Sequence, residues 1–299
     1  MSFLAITILT TSAIIHALWN LLGKGQSRPS KEFFFLANTF GCIAFIPTLV
    51  ISGISLHWSY SVWFCIILTG LFEAIYFTSV AESYYHGDIS VAYPISRSLP
   101  VILVIIFGII FEHSVEPSLI FVGGSILVII GCISTSMKHF QDFKLKNYFS
   151  PSCLFAYTAA IASAGYLITD NKALHLLNNT TALNVFQLSI IYSFIRGISI
   201  SGWMGLSIIG KQKYRKHTYS ILKTSFWQSV LAGLSMYLSY TLVLFSMYLT
   251  KNLSYVALFR QLSIPVTVIA GIYFFKEKRY LPKATGISLI LIGLTLVTI

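Results

Sequence analysis

Four ionisable side chains lie deep inside long apolar stretches of this chain: Glu73, Arg97, Arg196 and Arg260. A charge at the centre of a bilayer costs about 2.5–3.5 kcal/mol even on insertion scales, so each must face a partner, a wet cavity or a ligand. Arg97 lies between Pro94 and Pro100. Proline removes a backbone donor and kinks a helix, which leaves carbonyls in need of a neighbour. Arg97 therefore either contacts a substrate, satisfies those carbonyls or pairs with a glutamate. Arg260 stands five residues before Pro265, with Gln261 and Ser263 adding hydrogen-bonding capacity. Arg196 either faces the same cavity or snorkels along its helix. A cavity bordered by Arg97 and Arg260 would take an anionic or zwitterionic solute such as an amino acid. Glu73 either carries a proton during transport or forms a fixed ion pair with an arginine. Glu82 follows nine residues later, a rotation of about 900°, so the two carboxylates point to opposite helix faces.

A second polar set opens the chain. Ser12, His16, Asn20 and Lys24 recur every four residues, with Trp19 beside them. This spacing keeps them on one broad helix face, which should line a cavity because lipid cannot satisfy such groups. Tyr76, Tyr84 and Tyr93 could stack on or hydrogen-bond a solute. No metal site is expected: His16 has no second ligand at helical spacing, and Cys42, Cys65, Cys132 and Cys153 fit no ligand pattern. The chain contains no Walker-type phosphate loop, zinc-protease motif or Gly-x-Ser-x-Gly elbow. Transport would thus be secondary, coupled to a proton or solute counter-ion, or facilitative, with no cofactor.

These residues are carried by an all-α integral membrane chain. Only 10% of residues are charged, 56% are hydrophobic, and the mean hydropathy is +0.79, against about 25% charged residues in soluble domains. Ten apolar runs are long enough to cross a bilayer as helices: roughly 2–23, 33–53, 60–85, 89–111, 118–136, 152–170, 181–209, 224–250, 253–275 and 281–299. The net charge of +11 is a topology signal and does not point to nucleic acid. Loops joining odd to even runs hold fifteen Lys and Arg, from Lys24 to Lys283, against only Lys172 and Lys251 on the other side. By the positive-inside rule both termini should lie outside the cytoplasm. The first run lacks a basic leader and a cleavage site, so it reads as a helix that is kept.

Part of the chain occurs twice. Val91-Ala92, Pro100-Val101, Glu112 and Pro117 recur 165 residues later as Val256-Ala257, Pro265-Val266, Glu277 and Pro282. Five crossings per copy is an odd number, so the second copy must insert upside down. The expected architecture is ten transmembrane helices in two inverted five-helix repeats, residues 1–141 and 142–299, forming one structural unit. Gly124 and Gly131 on the fifth run and Gly286 and Gly293 on the tenth each lie seven residues apart on one face. Small residues let backbones approach in lipid, so these two helices should meet closely.

The segments His16-Ala17-Leu18-Trp19-Asn20 with Lys24, Tyr85-His86-Gly87-Asp88-Ile89-Ser90-Val91-Ala92-Tyr93-Pro94 and Val256-Ala257-Leu258-Phe259-Arg260-Gln261 resemble the EamA branch of the drug/metabolite transporter superfamily. Glu112 and Glu277 fit the same pattern. The resemblance implies a five-plus-five inverted repeat around a central cavity that moves small organic solutes by alternating access, commonly outward. The implied setting is a bacterial inner membrane, with the lipid bilayer and a small-molecule substrate as partners, and a monomer or homodimer. On the residue chemistry above, the candidate substrate contacts are Arg97, Arg260, His16, Trp19, Asn20, Tyr93 and Gln261. Two other classes compete: a membrane-embedded enzyme acting on lipid, which would need a clustered acid/base, nucleophile or metal set, and a non-transporting scaffold.

Overall fold

Backbone polar groups in hydrocarbon must be satisfied within their own segment, which turns apolar runs into helices. The computed structural model describes residues 1–24, 30–52, 56–86, 89–112, 118–142, 149–178, 183–250, 252–274, 276 and 278–298, and among these it is all-helical. The elements are α1 (Phe3–Lys24), α2 (Lys31–Ser52), α3 (Tyr60–His86), α4 (Ile89–Phe107), α5 (Leu119–Ser134), α6 (Pro151–Asn178), α7 (Val185–Ile209), α8 (Gln212–Thr224), α9 (Phe226–Leu249), α10 (Leu253–Phe259), α11 (Ser263–Phe274) and α12 (Leu281–Thr298). Eight spans are long and apolar enough to cross a membrane, α10 and α11 together making one of them. Two shorter apolar helices, Ile95–Phe111 and Leu119–Ser134, accompany them. Large apolar side chains such as Leu4, Phe64, Ile126, Leu206 and Trp227 stand exposed on the outside, as lipid-facing residues do.

The packing has a two-fold pattern. α3 lies along α6 as α1 lies along α9; α2 meets α9 as α7 meets α3; α4 meets α6 as α11 meets α1. Exchanging α1–α5 for α6, α7, α9, α10–α11 and α12 maps each pair onto another, while α5–α12 and α2–α7 map onto themselves. α5 and α12 cross through their glycines. A Cβ added to Gly131 would sit 2.7 Å from the Gly286 carbonyl oxygen, and one on Gly286 2.7 Å from that of Gly131. Gly124 and Gly293 stand in the same relation, at 2.7 and 2.5 Å. Any larger residue would push the two backbones apart.

Contacts also sort the loops into two ends. At one end, Ser83 and Ser152 exchange hydrogen bonds, His86 stacks on Phe155 and His139 meets Tyr280. At the other, Phe121 meets Tyr255 and the Tyr248 hydroxyl donates to the Leu174 carbonyl.

Three features depart from the sequence expectation. Most of residues 210–223, expected as loop, lies in α8 (Gln212–Thr224), whose cations are exposed and whose Ile221 is buried. It is tied to the start of α2 by Lys31 over the Tyr214 ring, 3.5 Å away, and by His217 beside Glu32 at 3.3 Å. The sixth helix, expected to end near residue 170, continues to Asn178. The polar run Thr169-Asp170-Asn171-Lys172 reads as a terminus, yet Asp170 and Asn171 are buried against protein. The expected proline kinks behave unequally. α4 remains unbroken α-helix past Pro94 and Pro100 and changes only at a π-helical segment, Gly108–Glu112. Before Pro265, in contrast, the chain tightens into a 3₁₀ turn, Arg260–Leu262. Pro265 has no N–H for the Gln261 carbonyl, and the Ser263 N–H takes that bond instead.

Candidate functional site

The helices close around a small, partly open cavity in the interior of the bundle. His16 and Trp19 come from α1, Asn38 from α2, and Glu73, Tyr76 and Phe77 from α3. Tyr166 comes from α6, Arg196 from α7, Met236, Tyr237, Ser239 and Tyr240 from α9, and Arg260 from the 3₁₀ turn. Aromatic rings pack edge to face around it: Tyr166 on Tyr76 and on Tyr240, and His16 on Trp19.

The two arginines on the wall are held differently. Arg196 donates from Nη1 to Glu73 Oε2 in an ion pair buried on both sides, and its guanidinium lies 4.0 Å from the Tyr240 ring centre. This pair joins α3 to α7. Breaking such a pair on one side costs about 3–5 kcal/mol, because the other charge is left buried. Arg260 donates from Nη2 to the Tyr166 hydroxyl at 2.7 Å and faces the rings of Tyr166 and Tyr240 at 5.5 and 5.6 Å. Among the described residues it is paired with no carboxylate. His16 Nε2 is shielded from solvent and meets no hydrogen-bond partner among the described residues. An arginine with no carboxylate within ion-pair distance among the described residues and an unsatisfied imidazole nitrogen thus share one aromatic wall.

Of the residues expected at the site, His16, Trp19, Glu73 and Arg260 line the cavity, together with Arg196 and Tyr76. The others do not. Arg97 is buried and donates from Nη2 to Ser263 Oγ at 2.5 Å, joining α4 to α11. Asn20 donates to the His16 carbonyl of its own helix at 3.2 Å, and Gln261 donates to the Ala257 carbonyl at 3.2 Å. Asn20 and Gln261 thus bond carbonyls one turn back in the chain, while Arg97 bonds across to α11. The side chains of Tyr93, Pro94, Tyr84, Lys24 and Glu112, and the whole of Glu277, lie outside the described residues. Ser12 serves packing: its hydroxyl donates to the Ser239 carbonyl of α9 at 2.7 Å. Glu82 points away from Glu73 and meets His86 at 3.4 Å near the surface.

The sequence reading passed over one charged group. Asp170 is fully buried on α6. Its Oδ1 accepts from Thr69 Oγ1 at 2.7 Å and from the Tyr192 hydroxyl at 2.7 Å, and its Oδ2 accepts from the Tyr240 hydroxyl at 2.6 Å. Its partners come from α3, α7 and α9, and no local spacing announces such a set. The one available signal was an acidic residue within helical reach of an apolar run.

Comparison with known proteins agrees with this architecture. Residues 3–137 match the model of the EamA-like transporter family. The whole chain is similar to a protein of known crystal structure, with a TM-score of 0.69 at 13% identity, over 99% of this chain and 98% of that one. At that identity the likeness shows the fold alone. No curated protein matches the chain by sequence.

Proposed function

Because residues 3–137 match the model of the EamA-like transporter family, we propose that the whole chain is a secondary transporter of a small organic metabolite bearing a carboxylate. The substrate is an anion or a zwitterion such as an amino acid. Arg260 carries this reading: a cavity-lining guanidinium with no carboxylate partner among the described residues. A planar guanidinium fits a carboxylate through two parallel hydrogen bonds. His16 Nε2 is a further polar contact in want of a partner. Trp19, Tyr76, Phe77, Tyr166 and Tyr240 would enclose the apolar part of the solute. The ammonium of a zwitterion would sit nearest Glu73, the one carboxylate on the wall.

The two-fold packing pattern supports two inverted five-helix units, 1–141 and 142–299, with the cavity between them. Such an arrangement alternates access by rocking one unit against the other around a fixed site. Ten crossings follow if the two shorter apolar helices also span. The end that gathers the basic loops would face the cytoplasm, which puts both termini outside, and the family resemblance favours export. A reporter fused to the C-terminus tests the orientation: cytoplasmic activity would reverse it.

The deciding experiment is transport into proteoliposomes across a panel of amino acids and organic anions, with and without a pH gradient. The expected result is a carboxylate-bearing substrate whose transport collapses in Arg260→Gln and returns in part in Arg260→Lys. Undiminished transport by well-folded Arg260→Gln removes the carboxylate reading and leaves the transporter assignment standing.

A further inference from the structure

Asp170 stands one hydrogen bond behind the cavity wall, because its Oδ2 partner, Tyr240, is itself a wall residue. Among the described residues it has no Lys or Arg within ion-pair distance. Its three hydrogen-bond partners are all hydroxyls: Thr69, Tyr192 and Tyr240. A hydroxyl can donate or accept. An Arg or Lys partner can only donate, so it holds a carboxylate in its ionised form. Glu73 is in that second situation, held by Arg196. The two buried carboxylates beside this cavity therefore differ: one is fixed by a cation, and the other sits among groups that can reverse their hydrogen bonds.

We propose that Asp170 is the proton-carrying site of the transport cycle, and that the Tyr240 hydroxyl reports its state to the cavity. The inference rests on reading the cavity as the transport pathway. In the proton-transfer step an incoming proton binds the Tyr240 oxygen as the Tyr240 proton passes to Asp170 Oδ2. One O–H bond is broken and remade on Tyr240, one is formed on Asp170, and no electron is transferred. Afterwards Asp170 donates to Tyr240, and the Tyr240 hydroxyl is free to turn its own proton toward a ligand. Thr69 and Tyr192 keep their bonds to Oδ1 throughout.

The neighbours agree with this role. α3 presents Cys65 and Glu73 to Asp170, α7 presents Tyr192 and Arg196, and α9 presents Tyr240. Tyr166 lies one turn earlier on the same helix. α4 packs against the opposite part of α6, at Cys153 and Ala156. Arg196, whose charge couples to Asp170, is already committed to Glu73.

Infrared difference spectroscopy of the purified full chain in nanodiscs, titrated from mildly alkaline to acidic pH without any substrate, tests the proposal. The expected result is a buried carboxyl C=O band that grows on acidification. It should be lost in Asp170→Asn, kept in the double variant Glu73→Leu, Arg196→Leu, which leaves no freed arginine beside Asp170, and shifted to higher frequency in Tyr240→Phe, where one hydrogen bond is gone. A band that survives in Asp170→Asn, or that disappears in the folded double variant, overturns the assignment. Should Asp170→Asn fail to fold, Tyr240→Phe decides: an unchanged band frequency overturns it as well. Because no substrate is present, failure here is distinct from failure of the carboxylate reading at Arg260.

Discussion

α4 and the α10–α11 span are repeat mates, related by the 165-residue shift, and each contains a buried-run arginine close before a proline. They use it in opposite ways. Arg97 bonds Ser263 on the mate helix and stays off the cavity wall, while Arg260 lies on that wall against Tyr166. The reason can be read in the repeat frame. Arg97 corresponds to Leu262, and Arg260 to Ile95, an offset of two positions. At about 100° per residue, two positions turn a side chain by roughly 200°, to the other side of the helix. The proline adds to the difference, since the chain before Pro265 tightens into a 3₁₀ turn while α4 remains regular past Pro100. Arg196 is a third case, neutralised by a carboxylate. Three intramembrane arginines thus have three partners: a hydroxyl on a neighbouring span, a carboxylate, and a tyrosine that leaves room for a ligand.

The largest effect should come from removing the neutralised arginine's partner. Glu73→Gln leaves Arg196 buried without its counter-charge and should cost about 3–5 kcal/mol of stability, read as a lower unfolding temperature in nanodiscs. Glu73→Leu combined with Arg196→Leu should recover most of that loss. If the single variant is as stable as wild type, the pair does not hold α3 to α7. Next comes Arg260→Gln, which should weaken carboxylate binding by about 2–5 kcal/mol, roughly 30- to 5,000-fold, with little change in unfolding temperature. Arg97→Gln should do the reverse. Losing one hydrogen bond from a charged donor costs about 1.5–3 kcal/mol, so folded yield should fall while binding by the surviving fraction stays near wild type. Equal binding losses in Arg97→Gln and Arg260→Gln would erase the contrast between the two helices. The smallest effect tests the frame that holds both spans. Gly286→Val should push α12 from α5 and cost about 1–3 kcal/mol as overpacking, lowering the unfolding temperature without changing substrate preference.

The apolar runs, the repeat shift and the glycine spacing were legible in the chain itself. Each is a property of a segment, summed over many residues or tied to one helix face, so single errors cancel. The structure brings Gly124 and Gly131 against Gly293 and Gly286 because close backbone approach depends on side-chain size alone, which the sequence states outright. His16 was readable in part from the four-residue polar stripe, of which it alone among the described residues reaches the cavity, with Trp19 beside it. Tertiary structure alone decided which arginine reaches the cavity, since a rotation of one or two residues reverses a side chain's direction and hydropathy does not register it. It also decided that most of residues 210–223 lies in a helix docked on α2. Asp170 shows the limit most plainly. In sequence it is one carboxylate at the apparent end of an apolar run. In the folded chain Thr69, Tyr192 and Tyr240 converge on it from three helices, and its chemistry exists only in that convergence.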